Sequence, residues 1–376
     1  MLTPGDLEPL DDLLRRHGLH GKREHPFPND GWSGATLTAV RRGDERFVIK
    51  RTSRAVDWIA RATNDVALRE GLVAGSALVL AEPLVAPYLG VASNGDGVAI
   101  LMPDLSDDLI AWERPGEDPV VPVGTLERVL DAIARLHAMP WADYRPTSPD
   151  WAWPWCPLRE RLFLLSRPSA ERYRADGLAV GERFLAGWDA FDRLASPAAR
   201  SLVADLEHDP ELLLAALGRL PATGLHGDLK LANVALLDDG RVALIDWAMM
   251  SLAPVAVELG WLLVSNSASL PVAPEAVMDR YRAAAERAAV ASLRLGGSWL
   301  DDRPRDLPAL PPRGLADTIG DWEAQLDLTW IVGLVLRGWR KGLDAESRTV
   351  LGSGVAAVDD LAWWSDRAVE AAWRRL

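Results

Sequence analysis

Cysteine is almost missing from this sequence, with Cys156 alone among 376 residues. That excludes an internal disulfide framework and fits a reducing cytoplasm. One Cys among six scattered His gives no zinc-site spacing. No apolar run is long enough to span a membrane: the most apolar stretch, residues 252–264, contains Glu258 and falls short of the about 20 residues required. The N-terminal residues do not read as a secretion signal, because Asp6, Glu8, Asp11 and Asp12 interrupt them. Cations are outnumbered, 41 Lys and Arg against 54 Asp and Glu, and the net charge of −13 argues against nucleic acid as a partner. Phe and Tyr are scarce at 5 and 4, while Trp reaches 17. The aromatic total of 7% is ordinary, so Trp can stand where other proteins use Phe.

What remains is a globular composition, 49% hydrophobic and 25% charged. The length exceeds one ordinary core and suits two lobes with a hinge. There are no repeats or long low-complexity segments. Residues 1–103 carry 12 Lys and Arg against 13 Asp and Glu, so nearly all the negative charge lies in 104–376. An acidic larger lobe could attract a cationic, amine-bearing substrate, or it could be a solubilising surface.

The chemistry concentrates in His226-Gly-Asp-Leu-Lys-Leu-Ala-Asn233 and Ile245-Asp246-Trp247. Between them, Val234–Leu237 and Val242–Ile245 read as strands around the polar turn Asp238-Asp239-Gly240-Arg241, a β-hairpin whose two Asp are turn residues. Antiparallel strands bring Asn233, just before the first, and Asp246, just after the second, to the same end of the ribbon. A carboxamide and a carboxylate with an open side suit Mg²⁺, which keeps waters and takes few protein carboxylates beside phosphate oxygens. Asp228, on the loop entering the hairpin, can face a hydroxyl in line with the transferred phosphoryl. Phosphoryl transfer needs little more than such positioning and charge stabilisation.

The segment resembles the catalytic loop of the aminoglycoside phosphotransferase and choline kinase-like family, H-G-D-x4-N followed by a hydrophobic-Asp-aromatic metal site. The resemblance implies an α+β, bilobal protein-kinase-like fold, with a small antiparallel-sheet N-lobe (1–103) and a larger, mainly helical C-lobe (104–376). It also implies ATP- or GTP-dependent phosphorylation of a small-molecule hydroxyl with Mg²⁺. Asp228 matches the catalytic base, Asn233 and Asp246 the metal ligands, and His226 a position that braces the loop. Asp228-Leu-Lys230 is shared with protein kinases, but Gly227 replaces the Arg of their H-R-D loop and Trp247-Ala248 follows Asp246 in place of Phe-Gly. The short run to Pro254 leaves no room for a long activation loop, which favours a small acceptor over a protein.

Upstream, 35–41 and 45–51 read as strands joined at Arg42-Gly43-Asp44. The resemblance places Lys50, at the end of the second of these, on the α- and β-phosphates. Asn29-Asp-Gly-Trp-Ser-Gly34 offers a phosphate-covering turn in which Ser33 supplies a hydroxyl and Gly34 close backbone approach. Residues 55–61 and 64–78 read as helices, the second capped by Asn64. Glu70 is the expected carboxylate partner of Lys50, with Asp65 in reserve. The apolar strand 97–106 is where a kinase-like chain crosses between lobes. There Pro103 keeps a C=O for the adenine amino group, Leu105 donates its N–H, and Met102 lines the back of the pocket.

Beyond this point helices dominate. Leu126, Val129, Leu130, Ile133, Leu136 and His137 fall at helical spacing, with His137 read as core, and 272–294 forms a further helix. Trp141, Trp151, Trp153 and Trp155 suggest a lid or stacking wall, and 296–314 reads as a loop. Asp321, Glu323 and Asp327 are either contacts for an acceptor amino group or a solvated helix face. A pseudokinase scaffold and a protein Ser/Thr kinase are the alternatives to small-molecule phosphotransfer.

Overall fold

A computed structural model describes residues 6–27, 31–76, 80, 82–110, 120–139, 141, 155–295, 315–348 and 350–376. Its contacts divide the chain into two compact units. One is drawn from Met1–Glu117, Arg145–Arg161 and His226–Met250, the other from Asp118–Tyr144, Leu162–Leu225 and Ser251–Leu376. The first unit is therefore assembled from three stretches of chain.

In the first unit, β1 (His25–Pro26), β2 (Thr36–Arg42), β3 (Glu45–Thr52), β5 (Gly90–Asn94) and β6 (Gly97–Pro103) form an antiparallel sheet in the order β1-β2-β3-β6-β5. Arg42 pairs with Glu45, so the hairpin turn is Gly43-Asp44, and Gly43 takes the positive φ of 62° that such a short connection needs. Side chains alternate along β3. Phe47 and Ile49 pack with Leu13, Leu14 and Leu19 beside the helix Leu10–Arg16, while Val48 packs with Ala60, Leu68, Ile100 and Met102 on the opposite face. By the same alternation Lys50 shares the face of Val48. β4 (Leu84–Val85) runs parallel to β9 (Val242–Leu244), which pairs antiparallel with β8 (Val234–Leu236).

Two helix boundaries differ from the sequence reading. The helices are Trp58–Ala62 and Arg69–Gly75, not 55–61 and 64–78. The Asp57 carboxylate caps the first, accepting from the N–H groups of Ile59 and Ala60, and the second is preceded by Leu68 with no side-chain cap, so Asn64 does not cap it. Asn64 and Leu68 have φ of 48° and 54°, left-handed backbone that a helix cannot run through, so the second helix starts only at Arg69. Residues 77 and 78 lie outside the described residues.

Among its described residues the second unit is mainly helical, with the strands β7 (Thr223–Leu225) and β10 (Ser251–Ala253) paired antiparallel. The long helix Trp322–Ser347 packs against Ala179–Leu194, Val255–Ser265 and Ala357–Arg375. Gly260 permits the close approach of Val255–Ser265, since a Cβ there would stand 2.9 Å from the Thr329 carbonyl oxygen. His137, in the helix Val123–Ala138, is a core residue as expected. It is fully buried, with Nδ1 2.7 Å from the Tyr281 hydroxyl and Nε2 3.2 Å from Glu258. Trp141 does not belong to a stacking wall: it is buried against Gly224 and donates its indole N–H to the Leu136 carbonyl at 2.7 Å. Trp151 and Trp153 lie outside the described residues. Among the described residues no helix is long and apolar enough to cross a membrane.

Candidate active site

The loop entering the β8–β9 hairpin is held from several sides. Gly227 has φ 85°, and a Cβ there would lie 1.8 Å from the Met249 carbonyl oxygen, so only glycine fits. The buried Arg161 donates to the Gly227 carbonyl through Nε at 2.9 Å and Nη2 at 2.5 Å. His226 Nε2 donates to the Ile245 carbonyl at 2.9 Å, its Nδ1 accepts the Asp228 N–H at 3.3 Å, and its ring meets Trp247 edge-on. The histidine thus ties the loop to the far strand of the hairpin.

This bracing fixes Asp228. One carboxylate oxygen, Oδ2, accepts from Lys230 Nζ at 3.1 Å and from Asn233 Nδ2 at 3.2 Å. The other, Oδ1, is buried with no partner among the described residues. A buried carboxylate oxygen left unsatisfied is costly, which marks it as an acceptor held ready for a proton or a ligand. Asn233 also donates to the Asp228 carbonyl at 2.8 Å, so its amide nitrogen faces the loop and its amide oxygen stays available. Val234 pairs with Leu244 and the Ile245 N–H donates to the Asn233 carbonyl, and this register brings Asn233 and Asp246 to one end of the ribbon.

Asp246 itself adopts left-handed backbone, φ 65° and ψ 60°, unusual for a residue with a side chain. Its Oδ1 lies 3.0 Å from Lys50 Nζ, and Lys50 Nζ lies 2.5 Å from Glu70 Oε2. Asp65 is turned elsewhere, accepting from the Arg69 N–H. Burial disfavours a charged Lys50, but Asp246 and Glu70 outweigh it and raise the ammonium pKa above its ordinary value. Burial alone would raise the Asp246 carboxyl, yet Lys50 and Lys230 hold it below the usual carboxylate range. Glu70 goes the other way, raised by burial and by the charge of Asp246.

The remaining expected residues lie in the same unit. Gly34 has φ 94° and presses on the Val56 carbonyl, where a Cβ would come within 2.4 Å. The Ser33 carbonyl accepts the Trp58 N–H at 3.2 Å, and its hydroxyl accepts the Ala35 N–H at 3.3 Å. Residues 29 and 30 of that turn lie outside the described residues. Met102 is buried with Val48 and Ala60, and Leu105 packs with Ala235 and Ala243. Ile245 touches both clusters, so the apolar surface is continuous from β6 to the hairpin. Pro103 is half-buried and pairs with Phe47.

The acids of the C-terminal helices divide. Asp321 caps the helix Trp322–Ser347 by accepting the Ala324 N–H, and Glu323 is exposed. Asp327 is neither a solvated acid nor an open contact for an amine. It is buried and bound by Arg374 at 2.6 Å and Arg375 at 2.7 Å. Two residues in the site had no sequence signal, Arg161 and Tyr88. The Tyr88 hydroxyl donates to Glu70 Oε1 at 3.0 Å and accepts the Asp246 N–H at 3.1 Å.

Residues 27–295 match the sequence profile of the phosphotransferase enzyme family. No curated protein matches the chain. Similar solved structures include an aminoglycoside phosphotransferase from Alicyclobacillus acidocaldarius, at 14% identity and TM-score 0.39 over 94% of this chain and 92% of that one. Choline kinase LicA from Streptococcus pneumoniae is 12% identical, TM-score 0.42, over 94% and 93%. Macrolide 2'-phosphotransferase MphH from Brachybacterium faecium is 17% identical, TM-score 0.39, over 95% and 96%.

Proposed function

The chain belongs to the phosphotransferase enzyme family, and from that membership we propose that it moves the γ-phosphate of ATP or GTP to a hydroxyl of a small acceptor such as an aminoglycoside, amino sugar, sugar or amino alcohol. The observation that carries the reading is the gathering of Lys50, Glu70, Asp246, Asn233 and Asp228 within one compact unit, with one Asp228 oxygen buried and unpartnered among the described residues.

The proposed roles follow the chemistry of each group. Asp228 orients the acceptor hydroxyl and takes its proton as the acceptor oxygen bonds to the γ-phosphorus. The bond from that phosphorus to the bridging oxygen breaks, and the electron pair leaves with the nucleoside diphosphate. Asn233 and Asp246 would hold Mg²⁺, and the available Asn233 amide oxygen and lowered Asp246 carboxyl fit a hard cation. Mg²⁺ bound there would neutralise charge on the phosphate oxygens. Lys50, braced by Glu70, contacts the α- and β-phosphates. Ser33 and Gly34 cover the phosphates, while Met102, Pro103 and Leu105 take the adenine or guanine ring. Residues 1–103 would thus form the nucleotide lobe and 104–376 the lobe carrying the catalytic loop and acceptor helices. The negative charge of 104–376 favours a cationic acceptor, and the single buried Cys156 fits a cytoplasmic setting.

The test is a product assay. The purified chain with ATP or GTP and Mg²⁺ is offered aminoglycosides, amino sugars, sugars and amino alcohols, and phosphate esters are sought by mass spectrometry. An ester absent with Asp228→Asn supports the reading. Mg²⁺-nucleotide binding without any ester would favour a pseudokinase, and labelled Ser or Thr peptides a protein kinase.

A further inference from the structure

Tyr88 lies between β4 and β5, outside every motif, yet its single hydroxyl touches two members of the site. It donates to Glu70 Oε1 at 3.0 Å and accepts the Asp246 N–H at 3.1 Å. Lys50 bridges the same two residues through their carboxylates, so Glu70, Lys50, Asp246 and Tyr88 close a ring of polar contacts. Within that ring Asp246 holds a left-handed backbone that a residue with a side chain adopts only when its surroundings impose it.

Resting on the kinase reading above, we propose that Tyr88 is a positioning residue for the metal ligand Asp246. Its hydroxyl pins the Asp246 backbone and couples it to the helix that carries Glu70. Without the phenol oxygen the Asp246 N–H loses its acceptor and the strained turn loses the contact that offsets its cost.

The experiment measures ADP affinity by calorimetry on the full chain, in EDTA and in saturating Mg²⁺, for the unmodified protein, Tyr88→Phe and Tyr88→Met. The expected result is ADP affinity in EDTA within about twofold of the unmodified chain, with the gain brought by Mg²⁺ cut about tenfold in both variants. A role in general stability would lower both affinities together. A gain from Mg²⁺ kept intact in the variants, or lost in proportion with EDTA binding, overturns the proposal. No gain from Mg²⁺ in the unmodified chain overturns the kinase reading itself, and this proposal with it. A second measurement needs no variant: the Asp246 amide must exchange its hydrogen slowly in the native protein, and fast exchange also overturns the proposal.

Discussion

Lys50 and Asp246 stand 196 residues apart in sequence, and their charged atoms lie 3.0 Å apart. Glu70 completes the cluster from a third segment, so one ammonium group compensates two carboxylates that would otherwise repel each other.

Lys50→Met therefore leaves Glu70 and Asp246 facing each other without a cation. We expect phosphoryl transfer to fall at least about 100-fold and unfolding to cost about 3 kcal/mol less at neutral pH. Loss of Lys50 raises both carboxyl pKa values, so the deficit shrinks as pH falls and the acids protonate. Steady-state kinetics and urea unfolding at pH 5 and 7.5 check both statements. An equal deficit at the two pH values would contradict the assignment.

Asp228→Asn keeps an oxygen for Lys230 and Asn233 to donate to but removes the carboxylate proposed to take the acceptor's proton. Turnover should fall by about 10²–10⁴-fold, with Mg²⁺-ADP affinity nearly unchanged. A nucleotide-binding isotherm beside a product assay separates these effects. Parallel losses in both would show that Asp228 shapes the site and does not act on the acceptor.

Arg161→Lys tests the support behind the loop. A single ammonium cannot repeat the two-pronged contact with the Gly227 carbonyl. A drop of about 10–100-fold in kcat is expected, with KM for nucleotide nearly constant, measured under saturating acceptor. A rise in KM alone would place the effect of Arg161 elsewhere.

In the second unit, Glu207 accepts the Arg167 N–H, and burial pushes its carboxyl up to about 7. A raised acid binds its proton more tightly folded than unfolded, so stability is lost as pH rises from the ordinary carboxylate value towards 7. Glu207→Gln keeps an acceptor without the titration. It should melt a few degrees higher than the unmodified chain at pH 8 and lose that advantage near pH 4. Thermal scans across this range decide it.

The opposite sign holds for Asp327. Burial would raise its carboxyl, but Arg374 and Arg375 hold it below the ordinary value, so its contribution is present at neutral pH and lost as pH falls through the depressed value. Asp327→Asn should destabilise at pH 7 and converge with the parent in acid. A gap that widened in acid would exclude this pairing as the cause.

The hairpin and its three polar residues were legible in the sequence because turn chemistry and strand alternation are local. Asn233 and Asp246 flank strands whose ends meet whatever the rest of the chain does. Lys50 and Glu70 were found by order along the chain, within a family resemblance. Tyr88 and Arg161 were not legible, since each reaches its partner only after distant segments fold together. The helix start at Arg69 was missed because Asn64 and Leu68 take left-handed backbone, which apolar spacing does not reveal. Asp327 passed for a surface acid because its partners lie some fifty residues further along the chain, beyond any helical periodicity.

The squeeze between Gly227 and the Met249 carbonyl restricts what protein engineering can do with this loop. In this backbone, an H-R-D sequence cannot be grafted onto positions 226–228, since the arginine's first side-chain carbon would collide with main chain that has nowhere to retreat. A library randomised at 227 and sorted for folded protein would return glycine codons almost alone, while the guanidinium of Arg161 grips the same residue's carbonyl from another segment of the chain.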